Sequence, residues 1–539
     1  MKKFIIIFSV VVTLASSYSQ NKNISEGNIF DGEPYLAINP LNSQHFVVAW
    51  IGYIDSTRAW IKTRVSFDAG ETWSGINLIG HSNPFYGSAD PSLDFNSEGD
   101  VYLSYIDFNK FLFSGADYVR KSTDGGLTWE DPVEVINVNS DPGKFPIDRP
   151  WISIDRSGGN YNGNIYVTTM NPTIFGFLPP PYHPYLTVSS NGGSSFGDWR
   201  YLDTLNWLAG NLIRSPMPMP AVSSDGTFHA VYVSFLYSQN PDVQYIIASS
   251  SDGGNSFTYH PVFTTPFQIE DSLAKKGYLL QADPSDVNHL AFFSVNNLYG
   301  DLDIFMRESY DKGAIWSGAE RVNDDPVGNN RMQDLLWADF NNDGDLAVSW
   351  RDRRNGNDST YTTSYEIWGA VRLKDSGSFS DNFRISDTLI AYDSILANPG
   401  NDFMCIKLVN DTLNAVWGDT RDGHLNIWFQ RTAISDVVSS VDPSSKDKTG
   451  TPDKFFVYQN YPNPFNPVTT ISYSIPQSGL VQLKIFDMLG REVAILLNKV
   501  QSAGNHEIKF DASDFTSGVY FYRLQSGSFS ETKKLVLLR

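Results

Sequence analysis

Short apolar runs separated by turn residues make up most of the chain. In a representative pair, apolar and polar positions alternate over residues 33–38 and a second apolar run covers residues 46–50. Comparable pairs begin at Asp90, Asp148, Met217, Tyr278, Gln333 and Asp402. Period-two alternation, turns rich in Gly, Asn and Asp, and no long helical periodicity predict antiparallel β structure in seven units.

A second pattern, Ser-x-Asp/Asn-x-Gly-x-x-aromatic, recurs between these pairs. We call its five copies the repeat turns: residues 66–73, 122–129, 189–196, 250–257 and 309–316. The near-regular spacing fits one supersecondary unit per copy. Their third residues can bond backbone N–H groups of the same turn, and glycine supplies the positive φ of a tight hairpin. We therefore assign a structural role to Asp68, Asp124, Asn191, Asp252 and Asp311.

The repeat turns resemble the Asp box, or BNR repeat, of bacterial sialidases and their non-sialidase relatives. This resemblance implies a multi-bladed β-propeller, in which four-stranded sheets repeat around an axis. We expect seven blades over residues 21–434, with six, the number in those sialidases, as the alternative. The seventh unit ends near Arg431 with about three strands, so residues 22–31 are expected to supply its outer strand and close the ring.

A different module follows residues 435–454, which are rich in Ser, Asp and Lys and read as a linker. Short alternating strands within residues 455–539, at 469–474, 479–486, 504–510, 518–524 and 531–538, predict a small β-sandwich. The motif Tyr-Pro-Asn-Pro-Phe-Asn-Pro at 461–467 and the final Lys533-Lys534-Leu535-Val536 resemble the type A sorting domain of the type IX secretion system. That resemblance implies handling by the type IX machinery and passage across the outer membrane.

The N-terminus and the charge balance also indicate export. Residues 1–20 carry two lysines, a short apolar run and small polar residues, as a signal peptide does. Later residues contain no apolar run long enough to predict a transmembrane segment. Residues 21–454 hold 30 basic against 54 acidic residues, a net charge of −24, which argues against nucleic acid as a partner. The single cysteine, Cys405, lies in an apolar run and is expected to be a buried small hydrophobe. We expect a secreted or surface-exposed monomer.

Candidate chemistry lies where first strands begin and second strands end, because these positions share the propeller face opposite the repeat turns. Acidic and Arg residues crowd there: Glu33, Asp55, Asp90, Asp107, Asp148, Arg149, Arg214, Arg331, Asp334, Arg351, Asp352, Arg353, Arg354, Asp419, Arg421 and Asp422. Two stretches stand out, residues 350–354 with Arg351, Asp352, Arg353 and Arg354, and residues 417–422 with Asp419 and Arg421. Such pairs could bind a carboxylate or sugar hydroxyls, or could form an Arg–Asp network between neighbouring blades.

The sialidase resemblance supplies an enzyme hypothesis. It implies three Arg around a substrate carboxylate, a Tyr nucleophile assisted by Glu, and an Asp acid/base. Arg149, Arg214 and Arg331 fit the Arg set by position, and Tyr361 or Tyr365 with Glu366 are candidates for the nucleophile pair. The family's early Arg-Ile-Pro motif is replaced here by Asp31-Gly32-Glu33-Pro34.

One further motif concerns a cofactor. Asp339, Asn341 and Asp343 match the start of a calcium loop, but its twelfth position is Trp350 and not Glu, so a polar hairpin turn is the alternative. Because the catalytic set is incomplete, the sequence favours a propeller that binds an extracellular glycan or protein ligand through its Arg/Asp-rich face, with exo-sialidase activity as the alternative.

Overall fold

The computed structural model describes twelve ranges of the chain: 20–54, 57–109, 114–171, 181–210, 217–235, 242–265, 277–392, 401–438, 456–457, 460, 465–527 and 529–538. The chain divides into two compact units, residues 1–440 and 441–539. All but the last residue of the predicted signal peptide and most of the predicted linker lie outside the described residues.

In the first unit, the described residues form seven four-stranded antiparallel sheets, which are the blades. Strand β1 (Lys22–Asn23) precedes blade 1. Blades 1 to 3 contain β2 (Asp31–Ile38), β3 (Phe46–Tyr53), β4 (Ala59–Ser66) and β5 (Asn77–Leu78); β6 (Gly87–Phe95), β7 (Val101–Phe108), β8 (Gly115–Ser122) and β9 (Val133–Asn137); and β10 (Asp148–Ile154), β11 (Ile165–Met170), β12 (Pro184–Ser189) and β13 (Arg200–Tyr201).

The remaining blades follow the same order. Blades 4 to 6 contain β14 (Met219–Val222), β15 (Phe228–Ser234), β16 (Val243–Ser250) and β17 (Thr258–Thr265); β18 (Tyr278–Ala282), β19 (Leu290–Asn296), β20 (Asp303–Ser309) and β21 (Glu320–Arg321); and β22 (Gln333–Phe340), β23 (Leu346–Asp352), β24 (Glu366–Arg372) and β25 (Phe383–Arg384). Blade 7 contains β26 (Cys405–Val409), β27 (Thr412–Asp419) and β28 (Asn426–Ala433), and a short helix, α1 (Ile434–Val438), follows it.

The blades form a closed ring. The first strand of each blade contacts the first strand of the next, and β26 of blade 7 contacts β2 of blade 1. Strand β1 pairs with β28, with Lys22 opposite Phe429, and so supplies the outer strand of blade 7. The predicted seven-bladed propeller closed by its N-terminal residues is therefore confirmed.

Packing between blades explains the hydrophobic pattern. The second strands β3, β11 and β19 are buried along nearly their whole length, because a neighbouring blade covers each face. This burial on both faces accounts for continuous apolar runs in place of strict alternation. Cys405 is one of these buried residues, as expected, and burial raises the pKa of its thiol to about 12.

The repeat turns join the third and fourth strands of blades 1 to 5, and their hydrogen bonds support the structural role. In the first copy, Ser66 Oγ donates to Asp68 Oδ1 at 2.8 Å and accepts from the Gly70 N–H at 2.8 Å. The Thr72 N–H donates to Asp68 Oδ1 at 2.8 Å. Gly70 has a φ of 83°, and a Cβ there would lie 2.5 Å from the ring of Phe429 in blade 7. Each such turn thus stabilises its own hairpin and packs it against the preceding blade.

The second unit contains two antiparallel sheets. They are built from β29 (Phe456–Val457), β30 (Val468–Ile475), β31 (Gly479–Phe486), β32 (Glu492–Gln501), β33 (Gly504–Asp511), β34 (Gly518–Ser526) and β35 (Phe529–Leu537). The orders are β29-β30-β33 and β32-β31-β34-β35, around a core that includes Ile471, Leu483 and Leu535. Strands β29 and β32 are absent from the sequence prediction. Among the described residues, no helix has the length and apolar character needed to cross a membrane.

Candidate functional site

Four first strands begin with a β-bulge. The register shifts lie between Gly32 and Tyr35, Ala89 and Ser92, Asp148 and Trp151, and Asp334 and Trp337. Within the bulges Glu33, Asp90, Arg149 and Leu335 have φ between 52° and 55°. Non-glycine residues rarely adopt this left-handed conformation, and such strain concentrates at functional sites. A bulge also redirects side chains, and here three charged ones meet at the propeller axis.

Among the described residues, five charged ones from four blades meet at this end of the axis, and we call them the axial cup: Glu33, Asp90, Asp148, Arg149 and Asp402. The guanidinium of Arg149 donates to Asp402 Oδ2 at 2.8 Å, and its backbone N–H donates to Asp90 Oδ2 at 3.3 Å. The Asp402 N–H donates to Glu33 Oε1 at 3.3 Å. The side chains of Arg149 and Asp402 are 27% and 24% exposed, so solvent reaches the cup.

The cup holds more carboxyl groups than cations. Burial raises the pKa of Glu33 well above its usual value, and the charges of Asp402 and Asp90 raise it further. Burial and the charge of Asp90 likewise raise the pKa of Asp148 well above its usual value. Burial alone would lower the pKa of Arg149, but the surrounding carboxylates raise it, so Arg149 stays charged. Glu33 and Asp148 therefore hold protons at a pH where an isolated carboxyl is ionised.

Aromatic side chains close the axis next to the cup, and we call them the aromatic floor: Tyr35, Trp151, Trp337 and Phe403. Trp151 lies 5.9 Å from Tyr35, 5.8 Å from Trp337 and 5.2 Å from Phe403 between ring centroids. Tyr35 and Trp151 follow the bulge residues of their strands by two positions, about 7 Å along a strand. Trp151 and Trp337 are 4% and 5% exposed, and their indole N–H groups have no partner among the described residues.

The charges beyond the floor are paired one to one. Asp94 pairs with Arg156, and Asp339 Oδ1 accepts from Lys407 Nζ at 2.9 Å. Asp339 Oδ2 accepts from the Leu408 N–H at 2.9 Å. These pairs lie at the other end of the axis, and the cup differs from them in its excess of carboxyl groups over cations.

The calcium candidates occupy a hairpin turn. Asn341 Oδ1 accepts from the backbone N–H groups of Asp343 and Asp345 at 3.0 and 2.8 Å, and Asp339 is held by Lys407. Within the described ranges, no group of three or more Asp, Glu, His or Cys is arranged to hold a metal ion. The geometry favours the polar-turn alternative for Asp339, Asn341 and Asp343.

The two Arg/Asp stretches adopt the same local structure. Trp350 Nε1 donates to Asp352 Oδ2 at 2.7 Å, and Arg354 Nη2 donates to the same oxygen at 2.9 Å. The Arg354 guanidinium lies 4.1 Å from the ring centroid of Trp368 on the third strand. It also pairs with Asp324, in the connection from blade 5.

Blade 7 repeats this arrangement. Trp417 Nε1 and Arg421 Nη2 both donate to Asp419 Oδ2, each at 2.7 Å, and Arg421 lies 4.2 Å from the Trp428 ring centroid. Arg421 also pairs with Asp387, in the connection from blade 6. Both stretches thus attach a blade to the connection before it.

Arg351 and Arg353 share one buried carboxylate. Arg351 donates to both oxygens of Asp334, at 2.7 and 2.6 Å, and Arg353 Nη1 donates to Asp334 Oδ1 at 3.1 Å. Tyr361 OH adds a bond of 2.6 Å to Asp334 Oδ2. Both Arg side chains are only 1% exposed. This geometry, too, favours a structural role over ligand binding.

The two described Arg candidates for a sialidase site have different surroundings. Arg331 donates to the backbone oxygens of Gly356 and Asp358, whereas Arg149 lies in the cup. Arg214 lies outside the described residues.

The nucleophile candidates lie at and just before the third strand of blade 6. Tyr365 is buried under Arg351, whose guanidinium carbon is 5.3 Å from its ring centroid. Glu366 accepts from Asn355, Trp368 and Arg384 at 2.7 to 3.0 Å and, among the described residues, makes no hydrogen bond to Tyr365. The pair is therefore held in the blade and not presented at the axis.

Sequence reasoning identified only part of the cup. Glu33, Asp90, Asp148 and Arg149 were expected on this face, but Asp402 was noted only as the start of a unit, and the aromatic floor was not predicted. A usable signal was present, because Glu33, Asp90 and Arg149 each precede a proline at the start of an apolar first strand.

Comparison with known proteins identifies the C-terminal unit. Residues 459–538 match the family model described as "Secretion system C-terminal sorting domain". No curated protein sequence matches the chain.

Solved structures resemble the propeller only distantly. A protein of unknown function from Dyadobacter fermentans is 16% identical, with 66% of this chain and 99% of that chain covered and a TM-score of 0.39. A GH93 α-L-arabinofuranosidase of Fusarium graminearum is 12% identical, with 78% and 99% covered and a TM-score of 0.44. The NanB sialidase from Streptococcus pneumoniae is 15% identical, with 78% and 70% covered and a TM-score of 0.37. At these values the similarities assign neither an activity nor a ligand to this chain.

The sorting domain establishes where the protein works. A domain of this kind at residues 459–538 directs its cargo through the type IX machinery to the outer cell surface. The chain is thus an exported β-propeller that carries a secretion system C-terminal sorting domain.

Proposed function

We propose that the propeller binds an extracellular glycan in the axial cup. One observation carries this proposal: charged hydrogen-bonding groups from four blades converge over an aromatic floor at a solvent-accessible end of the axis. Sugar rings present hydroxyl groups at their edges and apolar C–H groups on their faces. A few fixed polar groups beside aromatic side chains match both properties.

The cup is better suited to this role than the Arg/Asp stretches of blades 6 and 7. Arg351 and Arg353 are buried and bonded to Asp334, whereas Arg149 and Asp402 are partly exposed. The left-handed bulge residues Glu33, Asp90 and Arg149 add conformational strain that packing alone does not require.

The test is a glycan array probed with the mature chain from residue 21. We expect selective signals that fall at least tenfold for Asp148→Asn, which replaces a cup carboxyl group with an amide of the same size. Asp343→Asn, at an exposed turn position on the opposite face, is the matched control and should bind as the wild type does. Absence of any glycan signal, or signals insensitive to Asp148→Asn, would refute the proposal, and capture of a protein ligand by the cup would replace it.

The exo-sialidase alternative has a direct test on the same preparation. In the cup the one described arginine already pairs with Asp402, so it is not available to bind the carboxylate of a sialoside. We therefore expect no hydrolysis of a fluorogenic sialoside. Turnover that Arg149→Ala abolishes would favour the enzyme and contradict the binding proposal.

A further inference from the structure

We infer that a pocket at the outer edge of blades 1 and 2 binds the C-terminal carboxylate of a peptide whose last residue is apolar. This inference goes beyond the proposed glycan binding and uses none of the residues of the axial cup. The pocket has a volume of about 180 Å³. We call it the edge pocket, and its lining includes Asn77, Leu78, Gly80, Arg120, Leu127 and Trp129.

Arg120 brings a positive charge to the edge pocket. Its guanidinium donates to Tyr105 OH and to the carbonyl oxygens of Glu130 and Gly80, each at 2.8 Å. All three acceptors are neutral, and Arg120 forms no ion pair within the described ranges. These bonds use three of the five N–H donors of a guanidinium, so two remain for a ligand. A carboxylate is the acceptor that matches this group best in charge and geometry.

The equivalent arginine of blade 1 shows what Arg120 lacks. Arg64 also precedes the serine of its repeat turn by two positions, and it also donates to two backbone carbonyl oxygens. In addition, Arg64 lies 4.0 Å from a carboxylate oxygen of Glu26. Blades 3 and 4 have Thr187 and Ala248 at this position, so the hairpin itself does not require an arginine. The counter-ion missing at Arg120 is the group that the ligand supplies.

The walls of the edge pocket select an apolar group beside the carboxylate. Leu78 and Leu127 are 43% and 46% exposed, and Trp129 lines the same pocket. A Cβ added at Gly80 would have no atom within 4 Å apart from its chain neighbours, so the space beside it is open. A cavity of about 150 Å³ holds a benzene ring, and the edge pocket therefore has room for an aliphatic side chain such as that of leucine.

Strand β5 offers backbone groups to the rest of the peptide. It ends the sheet order β2-β3-β4-β5, so its outer edge is unpaired among the described residues. The Ile79 N–H donates to the Ile61 carbonyl oxygen at 2.9 Å, and Leu78 lies opposite Lys62 in the same register. Because hydrogen-bonded and non-hydrogen-bonded pairs alternate, the N–H and C=O of Leu78 point away from β4. An extended peptide can therefore pair with β5 while its last residue enters the pocket.

The charge of the whole propeller limits the number of acidic groups in the ligand. Residues 21–454 carry a net charge of −24, which repels polyanions such as acidic polysaccharides. A peptide terminus brings one carboxylate to one guanidinium, and its other groups are neutral or apolar. The edge pocket therefore favours an apolar C-terminus over an acidic glycan.

The experiment measures the fluorescence anisotropy of the peptide Gly-Gly-Ala-Leu, labelled with fluorescein at its N-terminus, on titration with the mature chain from residue 21. We expect the free acid to bind at least tenfold more tightly than the C-terminal amide. Arg120→Met removes the charge and Gly80→Leu fills the pocket, so each should weaken binding of the acid at least tenfold. The matched controls Arg64→Met and Gly75→Leu should bind as the wild type does. Tryptophan emission of each variant verifies that the propeller is folded.

Each alternative has its own outcome. Equal binding of the acid and the amide would overturn recognition of the carboxylate. Competition by 4-methylpentanoate as strong as that by the unlabelled peptide would assign the pocket to small acids and overturn the peptide. Equal losses for Arg64→Met and Arg120→Met would overturn the location. The glycan-array signals of Arg120→Met should match those of the wild type, and a parallel fall would contradict a site separate from the cup.

Discussion

Replacement of Asp334 by alanine should strongly destabilise the propeller. Asp334 is fully buried and binds Arg351, Arg353 and Tyr361. The charges of the two guanidinium groups and their hydrogen bonds overcome the effect of burial, so the pKa of Asp334 stays well below its usual range. Asp334→Ala leaves both guanidinium groups, each about 1% exposed, without that counter-ion. Removing one partner of a buried ion pair costs about 3–5 kcal/mol of unfolding free energy, and we expect a loss in that range.

The assay is denaturant unfolding followed by tryptophan emission. All 13 tryptophans precede residue 455, so the signal reports the propeller and not the sorting domain. The folded-state pKa of Asp334 is lowered, so its contribution to the free energy of unfolding is present above about pH 4 and is lost as the pH falls further. The difference in unfolding free energy between variant and wild type should therefore shrink in acid.

A second substitution tests the mechanism. Arg351→Met in the Asp334→Ala background removes one of the uncompensated charges and should restore part of the lost stability. The surface substitution Asp343→Asn should change stability by less than about 0.5 kcal/mol. A loss below about 1 kcal/mol for Asp334→Ala, or further destabilisation by Arg351→Met, would show that this network is not the buried ion cluster described above.

Three further predictions concern separate parts of the propeller. Gly70→Ala should cost more than about 1 kcal/mol, because its Cβ would overlap Phe429 and its φ is positive, whereas Gly75→Ala, with open space around it, should be nearly neutral; urea unfolding of the two variants compares them. Burial alone would lower the pKa of His289, but its bonds to Asp283 and Glu308 raise it. His289→Ala should therefore cost roughly 1–3 kcal/mol below about pH 6.5 and less as the pH rises through the raised pKa; equal losses at pH 5.5 and 8.5 would contradict this. Cys405 should react with an aromatic disulfide reagent only after urea unfolding, since burial raises its pKa to about 12, and rapid reaction of the native chain would disprove its burial.

The sequence predicted the propeller well because its signals are local and repeated. Alternation and turn residues define each strand pair, and the Ser-x-Asp/Asn-x-Gly pattern marks the third-to-fourth-strand hairpins of blades 1 to 5. Strand β32 was missed because its apolar residues, including Val493 and Ile495, are largely exposed and show no alternation. The cup was only partly predictable, because its members lie far apart in the chain. Glu33 and Asp402, for example, are 369 positions apart, and sequence position does not reveal which charged residues meet at the axis.

The Arg/Asp stretches illustrate a different limit. A sequence shows that Arg351, Arg353 and Arg354 lie together. It does not show that Asp334 already accepts from the first two guanidinium groups and Asp352 from the third. Only burial and partner geometry separate an internal ion network from a ligand site. The sequence evidence for ligand binding by Arg149 is weaker than that for Arg351 and Arg353, yet Arg149 is the more exposed side chain.

The pairing of β1 with β28 determines the order in which the ring can assemble. The Ile427 N–H donates to Ser25 Oγ across 402 positions of the chain, at 2.9 Å, so blade 7 is complete only after every other blade has been synthesised. Closing a loop of that length costs about 5 kcal/mol of chain entropy, which the finished blades must offset through their packing. In a chain exported in an extended state, the ring would therefore stay open during transit, and blade 7 would close last. Once closed, the ring would unfold slowly, because β1 must detach before the blades can separate.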